Sequence, residues 1–142
     1  MKILIINGPN LSKIKQRDKD VYGSLSFEEL KANLQKEFVS DAFEVIFHES
    51  EGDIISSIHD APNNFDGIII NPGGFSHTSV AIRDAIEISK IPIIEVHLSN
   101  ISDRENFRNV SITASKAKGY ISGFKHFSYF AAVYLLKKYN IN

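Results

Sequence analysis

Two runs, Ile3-Leu4-Ile5-Ile6 and Ile68-Ile69-Ile70, are apolar at every position and rich in β-branched side chains. A strand with one wet face alternates apolar and polar residues, so an unbroken apolar run predicts a strand buried on both faces. Such strands belong to parallel sheets covered by helices on either side, and this requirement narrows the fold more than any other feature. The rest of the chain meets it. Strands are predicted over residues 2–6, 43–48, 67–70, 92–97 and, more briefly, 119–123. Between them lie helical signals. Ser26 and Glu29 have the spacing of a capping box, opening a helix to about residue 39. Ile54, Ile55 and Ile58 place a second helix over residues 53–60. Ser76-His77-Thr78-Ser79 supplies caps for a third, about 79–89, and the Phe127, Phe130, Ala131, Tyr134, Leu135 stripe marks a last one, about 125–139. Five strand–helix repeats predict a flavodoxin-like three-layer sandwich with a parallel sheet of order 2-1-3-4-5. At 142 residues, one domain spanning 1–142 is expected.

Composition then removes several function classes. The formal net charge is -1, so the balance calls for neither nucleic acid nor an anionic membrane. With no cysteine, disulfides, thiolate metal sites and thiol nucleophiles are excluded. No apolar run approaches the roughly twenty residues that span a bilayer. Met1-Lys2-Ile3 enters a strand at once, without a signal-peptide pattern, so the expected location is the cytoplasm.

In sheets of this topology ligands bind beyond the carboxyl ends of the strands, at the switch point between the first and third. The residues there are unusual. After the first strand come Asn7, Asn10, Arg17 and Tyr22, on a polar connection running to Gly23 without helical or strand periodicity. Connections of that length in a compact domain are usually functional or disordered. After the third strand come Asn71, Gly73, Gly74, Ser76 and His77. At the fourth come Glu95, His97, Ser99, Asn100, Arg104 and Arg108. Each has a plainer reading: Asn7-Gly8-Pro9-Asn10 as turn punctuation, His77 as a cap, His97 as a satisfied core histidine, Tyr22 as packing, the arginines as a solvated face. All three loops being polar by accident at one sheet edge is the least economical reading.

The pattern excludes familiar chemistries. Gly8 has no partner glycines for a phosphate loop, Asn7 and Asn10 are not the acids of a receiver domain, and no serine sits in a nucleophile elbow. His48, His77, His97 and Glu95 come from three strands without ligand spacing, so no metal is expected. Acid–base chemistry without a cofactor is what fits. Glu95 lies two residues before His97 on one strand face and can fix its tautomer. Arg17 can lower the pKa of Tyr22 if the loop folds over a ligand. A non-catalytic small-anion binder and a flavin carrier remain as alternatives on the same fold.

Asn7-Gly8-Pro9-Asn10-Leu11, Arg17 with Tyr22-Gly23-Ser24, residues 71–79 (Asn71-Pro72-Gly73-Gly74-Phe75-Ser76-His77-Thr78-Ser79), Glu95-Val96-His97-Leu98-Ser99-Asn100 and Arg104-Glu105 with Phe107-Arg108 together resemble the type II 3-dehydroquinate dehydratases. The likeness runs through the whole chain in order. It implies a hydro-lyase that converts 3-dehydroquinate to 3-dehydroshikimate by anti elimination through an enolate, in the shikimate pathway or in quinate breakdown. No metal, cofactor or Schiff base takes part in that mechanism. By position, Tyr22 matches the base, Arg17 the arginine that keeps it ionised, His97 the general acid and Asn10 the residue holding the enolate oxygen. Asn71, His77, Leu98, Ser99 and Arg108 match substrate-binding positions. Asp84 matches a residue donated to a neighbouring subunit, and the family assembles as trimers grouped into dodecamers. The loop departs from the usual pattern: Ile14-Lys15 stands for Leu-Gly, Lys19 for a proline and Ser12 for an asparagine.

Overall fold

The computed structural model describes residues 1–16, 20 and 23–140, the side chains of Lys15 and Gln16 excepted. Five strands form one parallel sheet: β1 (Lys2–Asn7), β2 (Ala42–Phe47), β3 (Gly67–Asn71), β4 (Ile93–His97) and β5 (Gly119–Ser122). Their order is β2-β1-β3-β4-β5, as the alternation predicted. The helices are α1 (Phe27–Glu37), α2 (Glu51–Asp60), α3 (Val80–Ile88) and α4 (Phe127–Tyr139).

The period-two geometry of a strand explains why residues 3–6 of β1 are all apolar. Ile3 and Ile5 enter one core with Leu30 and Leu34 of α1 and Ala132, Val133 and Leu136 of α4. Leu4 and Ile6 point the other way, to Ile54 and Ile58 of α2 and Ile82 and Ile86 of α3. Both sets are fully or almost fully buried. Each such side chain contributes about 1.5–3 kcal/mol through burial, so truncating Ile5 to alanine should cost about 2–5 kcal/mol.

Local signals set the helix starts. Both halves of the α1 capping box form, Glu29 N–H donating to Ser26 Oγ at 3.1 Å and Ser26 N–H to the Glu29 carboxylate at 2.7 Å. Ser79 caps α3, its Oγ accepting from Ile82 N–H at 2.9 Å. The α2 helix begins at Glu51, two residues earlier than the isoleucine spacing indicated, because Ser50 caps it through Asp53 N–H.

One expectation needs correction. The connection after β1 is not free of regular structure: Leu11–Gln16 form 3-10 turns joined by a kink at Lys13, whose φ is -102° and ψ 18°. Leu11 and Ile14, on either side of that kink, are both buried in the core shared by α1 and α4. Two apolar residues are too few for a 3.6-residue periodicity to register. Similar short turns occupy Gly73–His77, Ile101–Asp103, Asn106–Arg108 and Thr113–Lys116.

Candidate active site

The carboxyl ends of β1, β3 and β4 meet at a cleft enclosing about 570 Å³ of space outside the atoms, its open mouth included. Backbone chemistry brings the first two together. Gly8 N–H donates to the Asn71 carbonyl at 2.8 Å. A Cβ on Gly8 would stand 2.5 Å from the Pro72 carbonyl oxygen, so only glycine permits this approach. From the β1 side, Pro9, Asn10 and Leu11 line the cleft. Asn10 has a φ of 69°, in the left-handed region that asparagine tolerates better than most residues. Its N–H donates to one oxygen of Glu49 at 3.0 Å, and Ser12 Oγ donates to the other at 3.2 Å.

From the β3 side come Asn71, Gly73, Gly74 and His77. The amide of Asn71 is held at both ends: its oxygen accepts from Gly73 N–H at 3.2 Å and its nitrogen faces the Tyr129 hydroxyl at 3.5 Å. Tyr129 in turn donates to Asn7 Oδ1 at 2.7 Å. Burial pushes the Tyr129 phenol far above its ordinary pKa, only partly offset by Asn71. It therefore keeps its proton and serves as a fixed donor, not as a base.

The β4 side supplies His97, Leu98, Ser99, Ile101, Arg104 and Arg108. His97 and Glu95 occur two residues apart on the strand, and the alternation puts both on one face. His97 Nε2–H donates to Glu95 Oε1 at 2.7 Å. Glu95 is 0% exposed, and both its oxygens are engaged: Ser111 Oγ–H donates to Oε1 at 2.7 Å and Thr113 Oγ1–H to Oε2 at 2.6 Å. The His77 and His97 rings are stacked with centroids 6.4 Å apart. His77 Nδ1–H donates to the Val110 carbonyl at 2.8 Å. Arg108 Nε–H bonds Glu105 at 2.8 Å, which leaves its terminal nitrogens for a ligand. The Glu105 carboxyl is held below the ordinary carboxylate range, first by its own backbone N–H and further by Arg108 and Arg104.

Of the residues singled out from sequence, Asn10, Asn71, His77, His97, Leu98, Ser99 and Arg108 all line this one cleft. Glu95 stands directly behind His97. Arg17 and Tyr22 lie outside the described residues, as does Lys19. Asp84 does not reach the cleft of its own chain; it sits exposed on α3, paired with Arg83 at 2.6 Å. His48, the remaining histidine weighed as a metal ligand, bonds Ser57 instead. Sequence reasoning missed Ser111 and Thr113, which occupy a stretch without periodicity, and Glu49, an exposed acid with no motif around it. It also missed the Tyr129 bridge. The i, i+2 spacing of Ser111 and Thr113 was the only available signal, and it means nothing until their neighbour is known.

A family model of class II dehydroquinases matches residues 1–137. The chain is 48% identical over 138 residues to a 3-dehydroquinate dehydratase of Caldanaerobacter subterraneus subsp. tengcongensis, covering 96% of this chain and 93% of the relative. Among solved structures it resembles a type II dehydroquinase from Butyrivibrio crossotus, with TM-score 0.88, 42% identity and coverage of 96% of this chain and 97% of that one. A type II dehydroquinase from Propionibacterium acnes is similar at 34% identity and TM-score 0.86, over 96% of each chain.

Proposed function

The chain belongs to the class II dehydroquinase family, and on that premise we propose that the cleft dehydrates 3-dehydroquinate to 3-dehydroshikimate. One observation carries the assignment of roles: the buried Glu95–His97 pair faces a cleft that also presents amides and the guanidinium of Arg108. Elimination of water needs a proton removed from the carbon beside the ketone, a place for the negative charge that develops on the ketone oxygen, and a proton for the departing hydroxyl. In the roles that the family resemblance gives them, Arg17 keeps Tyr22 ionised and Tyr22 takes the first proton. The electron pair moves to the carbonyl oxygen, giving an enolate held by Asn10, with a water between them. As the enolate collapses to the conjugated enone, the carbon–oxygen bond breaks and His97 delivers its proton to the leaving hydroxyl, so that water departs.

The geometry supports His97 in this role. Its Nε2–H is committed to Glu95, so Nδ1 is the nitrogen left to carry the transferred proton into the cleft. Arg108 has its terminal nitrogens available to take the substrate carboxylate as a fork. Asn71, His77, Leu98 and Ser99 complete the binding surface. The exposed position of Asp84 suits a residue that completes the site of a neighbouring subunit, in a trimer and the dodecamer built from it. Among the described residues no helix is long and apolar enough to cross a membrane.

The test is absorbance. Adding 3-dehydroquinate to the protein should produce a growing ultraviolet band, because the product is a conjugated enone and the substrate is not. A folded protein that leaves the absorbance flat sinks the reading.

A further inference from the structure

Four consecutive residues, 110–113, serve both histidines of the cleft, His77 directly and His97 through Glu95. The Val110 carbonyl accepts from His77 Nδ1–H at 2.8 Å. Ile112 N–H donates to the Ser76 carbonyl at 2.7 Å, fastening the stretch to the turn that carries His77. Ser111 and Thr113 donate to the two oxygens of Glu95, whose Oε1 also receives His97 Nε2–H. We propose that residues 110–113 act as a strap that assigns the ring proton on both cleft histidines, with Ser111 and Thr113 as positioning residues for His97. This inference rests on the proposed role of His97 as proton donor.

The chemistry runs through Glu95. A carboxylate with no exposure must be met by donors, and among the described residues it has three: His97, Ser111 and Thr113. The two hydroxyls supply what solvent would have given. They fix the plane of the carboxylate and leave Oε1 presented to the imidazole. That contact selects the Nε2–H tautomer of His97 and directs Nδ1 to the substrate. The Val110 carbonyl selects the opposite tautomer of His77, Nδ1–H, leaving Nε2 as an acceptor beside the same substrate. The two stacked rings therefore present unlike nitrogens: His97 uses Nδ1 to give a proton, while His77 uses Nε2 to receive a hydrogen bond. Polar satisfaction alone would not need one four-residue stretch to hold both. Thr113 is itself 0% exposed, and its shortest hydrogen bond, 2.6 Å, goes to Glu95.

Two readouts separate this role from simple structural support. Thr113→Val keeps the shape and removes the hydroxyl; Ser111→Ala removes the other donor. Each should lower kcat about tenfold, the kinetic equivalent of one hydrogen bond to a buried charge, with KM within about twofold. Thr113→Ser, which restores the hydroxyl without the methyl group, should restore kcat. On the full-length protein labelled with nitrogen-15 histidine, NMR at alkaline pH should show His97 as the Nε2–H tautomer and His77 as Nδ1–H. Peaks are assigned by difference with His77→Gln and His97→Gln. In the Thr113→Val, Ser111→Ala double variant, His97 should become a mixture of tautomers while His77 stays unchanged. A double variant with undiminished kcat overturns the proposal, as does a Thr113→Ser variant as slow as Thr113→Val, or a wild-type His97 protonated on Nδ1. If the double variant does not fold, Thr113→Val alone and the wild-type tautomers still decide it. Absence of wild-type turnover would instead defeat the proposed function, and the tautomers would be judged by the spectra alone.

Discussion

The two walls of the cleft are made by different physics. On the β4 wall, Glu95, Thr113 and His97 are buried, and the hydrogen bonds that Glu95 accepts from His97, Ser111 and Thr113 measure 2.6–2.7 Å. On the β1 wall, Asn10 N–H and Ser12 Oγ donate to an exposed carboxylate, Glu49, at 3.0 and 3.2 Å, bonds that water can compete for. Buried, fully satisfied polar networks specify one geometry; exposed contacts tolerate several. His97, the proposed proton donor, is thus built in advance, whereas Asn10, the proposed holder of the enolate oxygen, belongs to a segment that the surface secures more lightly. A site that must admit substrate and then exclude water benefits from this division.

The largest effect should follow from removing either end of the proton path. His97→Ala and Tyr22→Phe are each expected to lower kcat by about two to four orders of magnitude while circular dichroism stays native. Loss of ligand affinity with turnover intact would break the contrast. A smaller effect is expected on the β1 wall: Glu49→Ala should reduce kcat/KM about fivefold, since Asn10 N–H and Ser12 Oγ then turn to water. Matched steady-state kinetics would show whether Glu49 costs as much as Thr113, in which case the walls are equally rigid.

The smallest effect on turnover belongs to the far end of the sheet. There Asp41, 5% exposed, accepts from the Met1 amine at 2.7 Å and from Lys137. Burial works to raise the Asp41 carboxyl, but bonds from Lys137 and the amine outweigh it and hold the carboxyl below its ordinary value. A lowered folded-state pKa adds stability above the unfolded value of 3.8, and that stability is lost as pH falls through the folded value. Lys137→Met should therefore destabilise the chain by about 1–2 kcal/mol at neutral pH, discounted for the half-exposed lysine, with kcat unchanged. Melting curves of the two proteins should converge as pH drops from about 5 towards 2. A gap that persists in acid would assign the loss to packing of the lysine stem.

The fold was legible because burial on two faces leaves an unmistakable pattern in Ile3-Leu4-Ile5-Ile6 and Ile68-Ile69-Ile70, and because Ser26 and Ser79 are local signals. The cleft was legible where strand geometry fixes direction, as with Glu95 and His97 at i and i+2. It was not legible where partners meet only after folding. Ser111 and Thr113 sit 16 and 18 positions beyond Glu95, in a stretch that neither alternates nor turns with helical period. The 3-10 turns at Leu11–Gln16 were hidden because Leu11 and Ile14 alone carry them.

The Tyr129 bridge bears on the order in which the molecule is made. Its partner Asn7 lies 122 positions earlier in the chain. A ribosome delivers β1 before α4, so the amides of Asn7 and Asn71 wait for their common partner until α4 is made. Nascent chains arrested ahead of residue 129 should fail to retain a substrate-like carboxylic acid that full-length chains hold. Competence to bind would then arrive late and all at once, together with the helix that closes the core.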